Sequence, residues 1–228
     1  TLVFLSALLC LPVAQPKALA QDIAHALAAP QTEALGFVSQ FGGITNDAAL
    51  AGTTLYVGVG PHLVIMDVTD PAAPVILGQT DKLYNDVTTV TISGSYAYVG
   101  VDYYGMLVFD ISNPAAPLQV GSYLTDGGAY EIAVTSNTTY LANGYGLMIL
   151  NSTNLNSITR TGLYTDTVDG AYSVVISGSV AYVGMGYAGL HTVNVTDPAH
   201  PARLGAYTTT SAFDVEVHDH YAYVAAES

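Results

Sequence analysis

A tyrosine returns along this chain at a nearly fixed interval: Tyr56, Tyr98, Tyr140, Tyr182 and Tyr223 are separated by 42, 42, 42 and 41 residues. Other residues keep step with it. The polar residue closing an apolar run falls at Asp67, Asp110, Asn151 and Asn194, and a glycine follows at Gly78, Gly121, Gly162 and Gly205. A fixed period of this size means one supersecondary unit copied in tandem, each copy burying its apolar faces against its neighbours.

Within a unit the pattern reads as four short strands. The first, Val87–Ser93 or Tyr172–Ser177, alternates apolar and polar residues and ends in a Ser-Gly or Ser-Asn turn. The second carries the recurring tyrosine, as in Tyr96–Val101 and Val180–Met185. The third is an apolar run: Leu63–Val68, Met106–Ile111, Leu147–Ser152 and Leu190–Val195. The fourth is Val75–Thr80, Leu118–Tyr123 or Ala202–Tyr207. Between third and fourth lies Thr69–Pro74, Ser112–Pro117 or Thr196–Pro201, each with Asp or Asn before Pro. The Asx side chain accepts a hydrogen bond from the backbone ahead while Pro presets the turn. The copy after Asn151 has no Pro there and is expected to keep its turn through Asn and Ser.

Only a tenth of the residues are charged, whereas there are 22 Gly and 17 Tyr, a composition of strands and turns rather than helices. The expected fold is all-β: a β-propeller of four-stranded blades at 43–84, 85–126, 127–168 and 169–209, with an incomplete blade at 210–228. About four and a half blades imply a fragment of a larger propeller, leaving room for further blades or a surface anchor beyond Ser228. The runs LVIMDVTDPAAPVILG (Leu63–Gly78) and MLVFDISNPAAPLQVG (Met106–Gly121) resemble the LVIVD repeat of secreted and cell-surface proteins of bacteria and archaea. The resemblance covers residues 43–228; it implies propeller blades and assigns no catalytic residue.

The start of the chain has a different character. Leu2–Ala14 is apolar throughout, too short to cross a bilayer, and Ala18-Leu19-Ala20 is a small-residue cleavage site. Residues 1–20 read as a secretory signal peptide truncated at its start, and 21–42 as an Ala-rich spacer. The one cysteine, Cys10, leaves with the signal, so the mature chain uses no disulfide and has no transmembrane segment. Secretion also removes Lys17, after which Lys82, Arg160 and Arg203 stand against 18 acids. Such a surface repels nucleic acid and anionic lipid.

In a propeller, the turn after the second strand and the crossover to the next blade share one face. That face varies between units and is rich in Tyr and Asp, so Asp102, Tyr103, Tyr104, Tyr145, Tyr187, Asp126 and Asp169 are the candidate ligand-binding residues. The Pro-containing face repeats closely and looks structural. A second candidate comes from stacking the units at the start of their first strands, which aligns Asp47, Thr89, Glu131, Ser173 and Asp214 in a ring at the channel mouth. The ring could take a hard cation such as Ca2+ or a polyol. The plainer alternative is that its oxygens accept backbone N–H groups at the blade junctions. His218 and His220 would face one side of a strand, without a third metal ligand, and His191 reads as a packed histidine. No cofactor motif is present.

The leading expectation is therefore a secreted or cell-surface binding module for protein or carbohydrate, working without chemistry. The alternative is an extracytoplasmic enzyme of hydrolase or lyase type with carboxylates at the mouth as acid and base.

Overall fold

The computed structural model describes residues 44–208 and 211–226. The expected signal peptide and spacer lie outside the described residues. Among the described residues, eighteen strands follow one another in chain order. β1 (Thr45–Ala51), β2 (Thr54–Val59), β3 (His62–Asp67) and β4 (Val75–Gln79) form the first sheet. The second contains β5 (Val87–Ser93), β6 (Tyr96–Val101), β7 (Gly105–Asp110) and β8 (Leu118–Leu124). The third contains β9 (Glu131–Thr135), β10 (Thr138–Ala142), β11 (Leu147–Asn151) and β12 (Thr159–Tyr164). The fourth contains β13 (Ser173–Ser177), β14 (Val180–Gly184), β15 (Leu190–Asn194) and β16 (Ala202–Tyr207). A two-stranded pair, β17 (Asp214–His218) and β18 (Tyr221–Ala225), completes the array. All pairings are antiparallel between sequence neighbours, as short turns require.

Each four-stranded sheet buries the second and third strands, which carry the longest apolar runs. Val99, Leu107, Leu141, Ile149 and Val183 are fully buried, and the recurring Tyr56, Tyr98 and Tyr140 are nearly so. The apolar clusters span neighbouring sheets. Ile65 of the first packs with Leu107 and Phe109 of the second, and Ile149 of the third with Val183 of the fourth. The first strands β1, β5, β9, β13 and β17 lie against one another in succession.

One β-bulge recurs in all four complete sheets. The register between third and fourth strands shifts just after Ile65↔Gly78, Val108↔Gly121, Ile149↔Gly162 and Thr192↔Gly205. A bulge twists its strand and brings backbone close to a neighbour, and that neighbour is the Asx turn of the next unit. A Cβ on Gly121 would lie 2.5 Å from the Leu155 carbonyl oxygen, and one on Gly78 or Gly162 would be closer still to the Pro114 or Pro198 oxygen. The repeated glycine and the repeated turn are two halves of one contact between sheets.

The turn is built as its residue types suggest. Asp67 Oδ1 accepts from the Thr69 N–H at 2.8 Å and the Thr69 hydroxyl at 2.6 Å, and Asp110 does the same with Ser112. These bonds, side-chain hydroxyl first, hold both carboxyls below their usual range. Three residues on, Asp70, Asn113 and Asp197 accept from the N–H two residues ahead. In the unit lacking Pro, Asn154 accepts from Asn156 N–H at 3.1 Å and opens a 3-10 turn, Leu155–Ser157. The expected replacement by Asn chemistry is what the fold contains.

Candidate functional site

The loops and first-strand starts at one end of the sheets build the site. Crossovers and turns are tied together there: Tyr130 N–H bonds the Ala142 carbonyl, Gly144 N–H the Ala171 carbonyl, and Gly186 and Ala212 bond each other's backbone in both directions. This lattice of backbone bonds holds the aromatic side chains on rigid supports.

Asp47, Thr89, Glu131, Ser173 and Asp214 line one cavity of about 250 Å3. They are not equivalent within it. Asp47 Oδ2 accepts from the Val90 N–H of the second sheet at 2.7 Å and from the Thr89 hydroxyl at 3.1 Å. Glu131 Oε2 accepts from the Val174 N–H of the fourth sheet at 2.7 Å. Two of the three carboxylates thus bind backbone at the sheet junctions, as the plainer alternative expects. Among the described residues, no three His, Cys, Asp or Glu side chains form a group able to hold a metal ion. The hydroxyl of Ser173, itself buried, has no hydrogen-bond partner.

Glu131 is the electrostatic outlier. Burial pushes its pKa up, the Val174 hydrogen bond opposes this, and Asp214, Asp47 and Glu216 push it up further, to about 7. Its carboxyl therefore exchanges a proton near neutrality.

Directly ahead of each ring residue stands a second set of side chains that the sequence reading missed. Asn46 donates to the Val87 carbonyl at 2.7 Å, and the Thr88 hydroxyl donates to the Ala129 carbonyl. The next three are aromatic: Tyr130 and Tyr172 have centroids 5.3 Å apart, and Tyr172 meets Phe213 edge-on, also at 5.3 Å. All three line the cavity. Tyr187 extends the series outward, edge-on to Phe213 at 5.6 Å. Burial, and then Asp102 for Tyr130 or Asp169 for Tyr172, raises both phenol pKa values, so these hydroxyls remain donors.

The turn-face candidates separate into two groups. Tyr103, Tyr145 and Tyr187 are exposed at 79%, 60% and 69% and occupy one repeat position in three successive sheets. Asp126 is exposed as well. The others are partly occupied within the fold. Tyr104 stacks on Tyr84 at 4.0 Å and packs on the cluster between the first two sheets. Asp169 accepts from Gly170 N–H, the Tyr172 hydroxyl and Tyr187 N–H, fixing two of the aromatic residues. Asp102 is half-buried beside Gly128.

His218 ends β17 and His220 falls in the tight turn before β18, where Asp219 has φ 53°. The two histidines therefore do not share a strand face: His218↔Tyr221 is the closing pair of a two-residue hairpin, and alternation stops there. His191 is buried and bonds the Tyr164 hydroxyl at 2.7 Å.

A family model described as the LVIVD repeat matches residues 42–82, 85–125, 170–209 and 210–228. The chain belongs to the LVIVD repeat family. The stretch of this LVIVD repeat chain without a match, 126–169, contains the Pro-free turn, yet folds as a four-stranded sheet like its neighbours. No curated protein matches the chain. Among solved structures, the computationally designed Ika8 protein aligns with a TM-score of 0.65 at 9% identity, over 80% of this chain and 55% of its own. The chain thus spans about half the length of Ika8. The computationally designed Ika4 protein aligns with a TM-score of 0.58 at 9% identity, over 69% of this chain and 95% of its own. At such identity the likeness concerns the fold alone, which is β-propeller-like. No helix among the described residues is long and apolar enough to cross a membrane.

Proposed function

We propose that this LVIVD repeat chain is a non-catalytic binding module, secreted or held at the cell surface, that takes protein or carbohydrate on its turn face. The observation that carries the reading is the placement of Tyr103, Tyr145 and Tyr187. Three large side chains stand exposed at the same position of three adjacent sheets, on turns held by backbone hydrogen bonds. Rigid amphipathic tyrosines of this kind supply contact area with little loss of side-chain freedom. Tyr130, Tyr172, Phe213 and Tyr187 continue the aromatic surface to the mouth. The leader-like start of the sequence supports an extracytoplasmic location. The succession of first strands against one another supports closure of the sheets into a propeller around one axis. The enzymatic alternative is weaker, because Asp47 and Glu131 each commit an oxygen to a backbone N–H.

The triple variant Tyr103→Ala/Tyr145→Ala/Tyr187→Ala tests this. A panel of immobilised glycans and basic test proteins, read by surface plasmon resonance, should identify a binder of the parent chain. The variant is expected to bind it at least thirtyfold more weakly, the equivalent of losing one hot spot of about 2 kcal/mol. Its melting temperature should stay within a few degrees of the parent's. Undiminished binding would overturn the assignment of this face.

A further inference from the structure

The opposite end of the sheets, where strand tips and Asx turns lie, carries a larger cavity. It opens between the second and third sheets and has a volume of about 480 Å3, within the range of small-ligand pockets of roughly 300–1,000 Å3. Tyr96, Tyr98, Asn137, Ser152, Asn154 and Asn156 are among the residues that line it, and no Asp, Glu, Lys, Arg or His does. In a chain with 18 acids and six histidines, that neutrality marks the location.

The repeats provide an internal comparison for the third unit. Where Ser152 stands, the other units have Val68, Ile111 and Val195. Thr139 replaces Leu55, Ala97 and Ala181; Leu155 replaces Pro71, Pro114 and Pro198; Asn156 replaces Ala72, Ala115 and Ala199. Ser136, with φ 53°, replaces Gly52, Gly94 and Gly178, which all have φ near 60°. Ser136, Ser152, Leu155 and Asn156 line this cavity and Thr139 bonds Ser152, and all of these except Leu155 put an uncharged hydrogen-bonding group in place of an apolar residue or glycine.

These exchanges do not serve the sheet itself. A serine in the left-handed region costs on the order of 1 kcal/mol relative to glycine. Buried hydroxyls must also find partners. Thr139 donates to Ser152 Oγ at 2.9 Å and Ser152 donates to the Asn137 carbonyl at 3.0 Å. The neighbouring sheets form the same architecture with apolar residues at both positions, so the polar network is an addition to the blade rather than a requirement of it.

We propose that this cavity is a binding site for a short neutral oligosaccharide. Asn amides and hydroxyls offer donors and acceptors together, which matches the paired hydroxyls of a sugar. The Tyr96 ring, 36% exposed at the rim, offers an apolar surface for the C–H face of a pyranose. The absence of formal charge favours a neutral ligand over an ionic one, whose desolvation would go unmatched. This site is separate from the tyrosine face proposed above and stands whether or not that reading holds.

The test uses the full chain made in a bacterial host, so that Asn137, which opens an Asn-Thr-Thr glycosylation sequon, stays unmodified. Saturation-transfer NMR against maltotriose, cellotriose, mannotriose and chitotriose, with trigalacturonate as the acidic control, should give transfer to at least one neutral trisaccharide and none to the control. Leu155→Pro/Asn156→Ala restores the residues of the other units and so should fold; calorimetry should show at least a tenfold loss of affinity. The milder Asn156→Ala, at an exposed side chain, should weaken binding in the same direction should the double variant fail to fold. Tyr145→Ala/Tyr187→Ala, at the other end of the sheets, should leave this binding unchanged. The proposal is overturned by silence from all four neutral sugars, by equal transfer to trigalacturonate, or by full affinity in the folded variant.

Discussion

Gly162→Ala is expected to lower stability by about 3 kcal/mol, the upper end of what an inserted methyl costs in a tight contact. The added Cβ would run into the Pro198 carbonyl oxygen, and Pro201 closes the same space. Both obstacles are rigid: one is backbone, the other a ring. The bulge at Ile149↔Gly162 also prevents the strand from sliding away without losing its pairing to β11. Gly121→Ala meets the Leu155 oxygen and should cost a similar amount. Gly205 provides the control in this chain, since among the described residues its Cβ would meet the Thr192 hydroxyl, at 3.3 Å, and Gly205→Ala should cost less than about 1 kcal/mol. Urea denaturation of the three variants checks the ranking. Equal losses at Gly205 and Gly162 would mean that backbone conformation, rather than the turn of the next unit, requires the glycine.

The second large effect is a fall in stability as pH rises through neutrality. Glu131 has a folded-state pKa of about 7 against an ordinary 4.5. The folded chain therefore holds this proton more tightly than the unfolded one does. The stabilisation is complete below about pH 4.5 and is lost as pH rises through 7. With partial solvent relaxation the change amounts to about 2 kcal/mol, or roughly 5 °C in melting temperature for a domain of this size. Glu131→Gln keeps an oxygen for the Val174 N–H and removes the titration. Melting curves from pH 5 to 8 should slope downward for the parent and lie flatter for the variant. Parallel curves would show that Glu131 does not hold that proton.

Most of the fold was legible because two periods coincide in the sequence. Alternation of two defines each strand, and the repeat of 42 checks each strand against three or four others. The expected β5 and β6 boundaries match the structure to the residue. That Asp47, Thr89, Glu131, Ser173 and Asp214 line one cavity was readable for the same reason, as they sit at one repeat position. Tyr130, Tyr172 and Phe213 were missed although they too share a repeat position. They stand one residue before β9, β13 and β17, where the pleat no longer dictates direction, so strand alternation points them away from the ring. The Tyr84–Tyr104 stack was invisible because a crossover and a turn supply its partners. The neutral cavity was hidden for another reason. A degenerate repeat looks like loss of a signature until the structure shows its exceptions gathered around one space.

The ring also has a parity. Its residues run acid, hydroxyl, acid, hydroxyl, acid, and the carboxylates of the first and third sheets reach the backbone of the second and fourth. Tyr-to-Asx spacing alternates in the same rhythm, 11 residues in the first and third units and 12 in the second and fourth. Excising the second sheet would bring Asp47 beside Glu131, carboxylate facing carboxylate in a site that already holds one of them near its protonation point. Excising two would restore the sequence of partners. The second and fourth sheets thus act as spacers between acids, and removing either one alone should cost more stability, read by melting temperature, than removing an adjacent pair.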